Sequence, residues 1–384
     1  ASDWARVFRA AGRPWRVGER VVITGLAATL RTLAVEGPGA AYEGALAARS
    51  AAYLHDRGAP LMAADLAAHT STWTEPLRGS YRGVTVTSHP PNSCGPSALE
   101  LLAVLERFEP PPRRRFGVHG PTDPCWVHLG LEAARLVMAD RDHWVTDLAA
   151  MAPGALDRLL STTHAAELAA RLDPHRVTPR PPLPGPAGGG TVYLAAADRR
   201  GHLVSLLQSN YAGFGSGLAD PSTGIGFQNR GAFFSLDPAH ANALAPRKRT
   251  MHTLTPGLAF RDGRPWLVHG AMGGEIQPQV FAQFISAMVD GTGDLATAVA
   301  APRWAADPPG HGDPPSATRL ERRIPAGVAR GLIERGHDVS WGLPFDPSFG
   351  HEHAIELRWP DDGGTGPTVA AVTDPRSEGQ PSVW

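Results

Sequence analysis

The stretch Gly188-Gly189-Gly190-Thr191-Val192-Tyr193-Leu194 puts a hydroxyl residue where a loose segment runs into a strand. The segment before it, Pro179 to Pro186, is too rich in proline and glycine for helix or strand. A hydroxyl is a poor nucleophile until a base takes its proton. If the backbone were cut before Thr191, its freed α-amino group, with a pKa of about 7.7–8.0, would supply that base. One residue would then be both nucleophile and base. The oxyanion of the tetrahedral intermediate needs donors, and consecutive glycines such as Gly273-Gly274 let backbone N–H groups approach closely. A plainer reading stands beside this one. A threonine opening a strand is ordinarily a β-branched strand residue, and paired glycines are ordinarily a turn.

Other chemistries find less support. His351-Glu352-His353 places two histidines on one face of a strand, but two ligands do not make a metal site. No phosphate-cradling loop is present, and Gly213 to Gly217 lack the strand-then-helix context of a dinucleotide fingerprint. No cofactor and no metal is called for. The chain of 384 residues, 42% hydrophobic and 19% charged, has the composition of a soluble globular protein. A net charge of −1 gives no electrostatic footprint for nucleic acid, and no apolar run approaches a membrane span. Lys248 is the one lysine. Arg113-Arg114-Arg115 reads as a solvated loop. Cys94 and Cys125 allow one disulfide at most, and burial is the expected state of both. Localisation stays open.

The elements that must position Thr191 follow from periodicity and punctuation. Helices are predicted over Ile23–Val35, Ala40–Arg57, Ala63–His69, Pro96–Phe108, Asp157–Leu172, Gln277–Val289, Leu295–Ala300 and Ala326–Arg335, with another from an Asp123 cap to Met138. Strands are predicted over Tyr81–Ser88, Leu258–Arg261, Trp266–Gly270, Glu352–Trp359 and Thr368–Val372. Thr191–Ala197 and Leu203–Gln208 read as a hairpin turned by Arg199-Arg200-Gly201. The first half is thus mostly helical and the second half strand-rich, an α+β pattern.

A series of short motifs in order then resembles the γ-glutamyltranspeptidase family of N-terminal-nucleophile hydrolases. They are Pro90-Pro91-Asn92-Ser93, Thr191-Val192-Tyr193-Leu194, Gln208-Ser209-Asn210-Tyr211, Gly213 to Gly217, Gln228-Asn229-Arg230-Gly231, Asn242 to Pro246, His252-Thr253-Leu254, Gly270 to Gly274, Ala301-Pro302-Arg303 and Asp374-Pro375-Arg376. The resemblance implies a four-layer αββα sandwich and autocleavage between Gly190 and Thr191. Residues 1–190 would then be part of a large subunit and 191–384 the small catalytic one, paired as a heterodimer. It implies Thr191 as nucleophile, Ser209 as the hydroxyl that orients it, and Gly273 and Gly274 as the oxyanion pair. The implied activity is hydrolysis or transfer of γ-glutamyl or related carboxylated amides, to water or an amine, with a link to glutathione metabolism.

Substrate-facing positions depart from the family's pattern. Where γ-glutamyl enzymes carry a glutamine and, three residues on, an aspartate for the donor ammonium, this chain has Arg230 and Phe233. The asparagine near the donor reads Tyr211, and the paired serines read His252 and Thr253. The pattern is more similar to capsule polyglutamate depolymerases and cephalosporin acylase-like enzymes, and Arg230 would favour a donor carboxylate unless it forms a structural ion pair. The family's large subunit also starts well before the point matching Ala1. Two alternatives to the transferase reading therefore stand: a catalytically silent member acting as a binding protein, and an acylase for non-γ-glutamyl amides.

Overall fold

The computed structural model describes residues 2–9, 13–178, 190–291, 293–306, 318–360 and 366–383. The proline- and glycine-rich segment and Gly188-Gly189 lie outside them. The chain packs as two units, residues 1–74 with 210–229, and residues 75–209 with 230–384. These packing units differ from the 190/191 boundary of the covalent chain that the resemblance implies.

The first unit carries α1 (Asp3–Phe8), α2 (Thr24–Glu36), α3 (Gly44–His55) and α4 (Ala63–Ala67). The glycine-dense loop 210–229 closes onto these helices. A Cβ on Gly25 would lie 2.9 Å from Gly224 N, so helix and loop meet backbone to backbone. Thr29 donates to Thr223 O at 2.8 Å, and Tyr53 stacks on Phe227 at 5.9 Å. Asp3 at the start of α1 takes the Arg57 guanidinium and the Tyr53 hydroxyl.

Strands of the second unit are β1 (Leu77–Tyr81), β2 (Val84–Ser88), β3 (Thr191–Ala197), β4 (Leu203–Ser209), β5 (Gly257–Arg261), β6 (Arg264–Met272), β7 (Trp304–Ala306), β8 (Thr318–Leu320), β9 (Val339–Trp341), β10 (His351–Arg358) and β11 (Thr368–Val372). Its helices are α5 (Gly95–Leu105), α6 (Pro124–Trp144), α7 (Ala155–Leu159), α8 (Thr162–Ala170), α9 (Gln277–Val289), α10 (Leu295–Ala300) and α11 (Ala326–Glu334). A six-stranded antiparallel sheet runs β1-β2-β5-β6-β10-β11. Period-2 alternation along β6 sends neighbouring residues to opposite layers. His269 meets Phe281 and Phe284 of α9 at 4.5 and 5.0 Å, whereas Gly270 faces the Tyr193 ring of β3. The sheet is thus sandwiched between helices α5 and α9 and the β3–β4 hairpin, the layering of the mixed α and β architecture expected. The outer face of the hairpin, Val192, Leu194, Val204 and Leu206, is exposed.

Several elements depart from the sequence reading. Tyr81–Ser88 is not one strand: Arg82 (φ 49°) and Gly83 (φ 83°) turn the chain between β1 and β2. The 157–172 helix divides into α7 and α8, because the Ser161 hydroxyl accepts from His164 N and starts a new helix. β7, β8 and β9 were not anticipated, since three-residue strands are too short to show alternation. The Asp123 cap is present, with its carboxylate accepting from Cys125 and Trp126 N. Both cysteines are free, and Cys125 is only half-buried. Among the described residues no helix is long and apolar enough to cross a membrane.

Candidate active site

Thr191 and Ser209 are direct cross-strand partners on the first rung of the β3–β4 hairpin. Opposed residues on one face of such a pair hold their Cβ atoms about 5 Å apart, close enough for two short hydroxyl side chains to bond. The Thr191 hydroxyl donates to Ser209 Oγ at 2.8 Å, and the Ser209 hydroxyl donates to Gly190 O at 3.2 Å. The relay ends on the carbonyl immediately before Thr191.

Packing aligns the hairpin with the central sheet. Its turn residue Gly201 lies against Trp359, whose indole donates to Pro265 O at the start of β6. Further along, Ser205 donates to His269 O, and Tyr193 covers Gly270 so closely that a Cβ there would fall 2.5 Å from its ring. Tyr193 OH and Ser205 Oγ are 3.0 Å apart beneath the hairpin. The hairpin and β6 therefore run together, and Thr191 and Ser209 come to the end of β6 that leads into Gly273-Gly274. Gly274 has φ 58°, a left-handed conformation that suits glycine, and opens the turn Gly274–Ile276 before α9. Glu275 in that turn is buried and ion-paired to Arg141 of α6, which also grips Asp142 at 2.6 Å. Breaking such a buried pair is costly, so this turn is anchored to a helix residue 134 positions earlier in the sequence.

Arg230, His252 and Thr253 also come together. Arg230 donates to Thr253 Oγ1 at 3.2 Å and lies 5.5 Å over the Phe233 ring. Burial, with the charges of Arg230 and His89, pushes His252 down to about 3, so its ring is neutral at physiological pH. The His252 backbone is held by the Pro90-Pro91-Asn92-Ser93 motif: His252 N donates to Asn92 O at 2.8 Å and Cys94 N to His252 O at 2.9 Å. Asn242 ties the other side, its amide bonding Phe233 O and Thr250 Oγ1 and its carbonyl accepting from Thr146 and Met251 N. Asn242 opens the Asn242-to-Pro246 motif, but nothing in its local sequence signals this role. Only contacts reveal it as the hub of this wall. Tyr211 belongs to the other packing unit, where it is buried with φ 74°.

His351 and His353 are both half-buried; His353 accepts from Asp374 N at 3.1 Å and lies along the Tyr193 ring. A carboxylate and histidine cluster that the sequence did not suggest is Glu100, Asp140 and His164. His164 Nε2 lies 2.7 Å from Asp140 and 3.2 Å from Glu100, so mutual pairing accounts for the cluster.

Comparison with known proteins adds an independent line. The family model described as "Gamma-glutamyltranspeptidase" matches residues 1–384. The glutathione hydrolase-like YwrD proenzyme of Bacillus subtilis (strain 168) is 36% identical over 375 residues, covering 98% of this chain and 68% of that protein. An oxamate amidohydrolase proenzyme of Klebsiella pneumoniae is 36% identical over 382 residues, covering 98% of this chain and 68% of its own length. The crystal structure of a cephalosporin acylase from Bacillus halodurans superposes with a TM-score of 0.86 at 37% identity, over 100% of this chain and 66% of that one. The chain thus spans about two thirds of the length of each.

Proposed function

The chain belongs to the γ-glutamyltranspeptidase family, whose related members are named as hydrolases, amidohydrolases and acylases, and from that premise we propose that Thr191 is a self-generated N-terminal nucleophile acting on carboxylated amides. The observation that carries this reading is the hydroxyl relay from Thr191 through Ser209 to Gly190 O. In the precursor, Ser209 polarises the Gly190 carbonyl that Thr191 Oγ attacks. The peptide C–N bond breaks, leaving an ester between Gly190 and the Thr191 hydroxyl. Water hydrolyses that ester, releasing a Gly190 carboxylate and a Thr191 with free hydroxyl and free amine. Residues up to 190 and from 191 onward then remain as two polypeptides of one heterodimer.

In turnover the Thr191 amine takes the hydroxyl proton, Oγ adds to the donor amide carbonyl, and the proton passes to the departing amine. Backbone amides of Gly273 and Gly274 receive the oxyanion. Ser209 keeps Oγ aligned, and water or an acceptor amine removes the acyl group. The Arg230, Thr253 and neutral His252 wall supports a donor recognised by a carboxylate rather than by an α-ammonium, because a guanidinium repels an ammonium and binds a carboxylate through charge-assisted bonds. The name of the oxamate amidohydrolase relative fits this, since oxamate is itself a carboxylated amide.

Intact-mass measurement after incubation near neutral pH tests the reading. Two masses, one beginning at Thr191, are expected, with a single uncut mass for Thr191→Ala. An uncut wild type would leave the silent binding-protein reading standing instead.

A further inference from the structure

We propose that the buried Arg303–Asp374 pair is a positioning device for the Gly273-Gly274 turn, acting through Gly350; the inference rests on the function proposed above. Met272 and His351 are the terminal cross-strand partners of β6 and β10. Gly273 and Gly350 are therefore the residues just outside that last rung, and they lie close: a Cβ on Gly273 would come to 3.4 Å, van der Waals contact, from Gly350 Cα. Gly350 itself has φ 80°, and a Cβ there would fall 2.5 Å from Met272 O. The strand end bearing the oxyanion turn thus rests directly on the Gly350 backbone with no room between them.

One ion pair fixes that backbone from both sides. Arg303 Nη1 donates to Gly350 O at 2.6 Å and to Phe349 O at 3.2 Å, and its Nη2 meets Asp374 Oδ2 at 2.6 Å. The same Asp374 oxygen accepts from Glu352 N at 2.8 Å. Residues 349 to 352 are therefore held at two carbonyls and one amide by a single guanidinium–carboxylate unit. Asp374 is locked in turn by Arg376, which donates to its other oxygen at 3.0 Å and is paired with Glu321. All of these groups are buried. A buried pair of this kind gives little net stability over an apolar substitute. What the planar guanidinium supplies is fixed direction at two acceptors, which a lysine does not reproduce. Oxyanion donors act only when aligned within hydrogen-bonding distance of the developing charge, and a shift of about 1 Å costs about 100-fold in rate.

The test uses Arg303→Lys and Gly350→Ala in the native protein, with folding followed by circular dichroism and processing by intact mass. Gly350→Ala disturbs the contact without touching either charge. On folded, processed protein both variants are expected to lower kcat by about 10- to 100-fold on a carboxylated anilide, with KM changed by less than about threefold. A lowered melting temperature with wild-type kcat in the folded fraction of both variants makes the pair structural only and overturns the proposal. A wild type no more active than Thr191→Ala overturns the parent reading and the positioning role with it.

Discussion

Thr191 and Ser209 face each other across the first rung of the β3–β4 hairpin with their hydroxyls 2.8 Å apart, and Ser209 reaches on to Gly190 O at 3.2 Å. Register alone places them together: a one-residue slip would send one of the two hydroxyls to the opposite face of the hairpin. The relay is shared by both reactions proposed for this site, chain cleavage and donor acylation.

Ser209→Ala should therefore slow both. Removing the orienting hydroxyl is expected to lower the cleavage rate and the kcat of the processed enzyme by about 10- to 100-fold each, while Thr191→Ala abolishes both. Time-resolved intact mass and anilide hydrolysis on the same preparations check this. Normal cleavage in Ser209→Ala would remove Ser209 from the mechanism.

Arg230→Gln should raise KM for a glutaryl anilide about 10- to 100-fold, the equivalent of a lost hydrogen bond to a charged group, and alter kcat less. Adding Phe233→Asp, at a ring 5.5 Å from the guanidinium, should turn preference toward the γ-glutamyl anilide, which differs by its α-ammonium. The ratio of kcat/KM for the two anilides is the readout, and an unchanged ratio in the double variant would place donor recognition elsewhere.

Gly270→Ala tests the packing that carries β3. Its Cβ would enter the Tyr193 ring at 2.5 Å, so the hairpin must lift or the sheet must shift. Destabilisation of about 1–3 kcal/mol is expected from such overpacking, together with slower cleavage. Denaturant melts of the uncut Thr191→Ala background isolate the stability effect from processing.

Alkaline pH should weaken the second unit through His164. Glu100, and then Asp140, hold the imidazolium and raise its pKa to about 9 against the opposing cost of burial, while Glu167 lies 3.4 Å from the other ring nitrogen. A raised folded-state pKa means the folded form binds more protons between the ordinary histidine value and about 9. The stabilisation is thus complete below the ordinary histidine value and is lost as pH rises through about 9. Burial also shifts Glu100, the other member of the pair, upward, which has the same sign. Melting temperature from pH 6 to 10 should fall, and His164→Gln should flatten the part due to histidine. Parallel curves for the two proteins would show that His164 does not carry the effect.

Much of this protein was legible in its sequence because the relevant signals are local. Gln277–Val289 and Leu295–Ala300 match the predicted helices to the residue, and Asp262-Gly263, the two residues joining β5 to β6, take the positive φ values their residue types favour. Thr191 and the glycine pair stand out by residue type and position, whereas Ser209 stands out only through the family resemblance. Tertiary structure alone decided which of these meet. Cross-strand register joined Thr191 to Ser209, and the close approach at Gly270 aligned them with the end of β6. The Arg303–Asp374 pair spans 71 positions and the Arg141–Glu275 pair 134. Pairing between groups so far apart leaves no periodicity in a chain. It arises when packing removes water from both partners and leaves each as the other's nearest compensating charge.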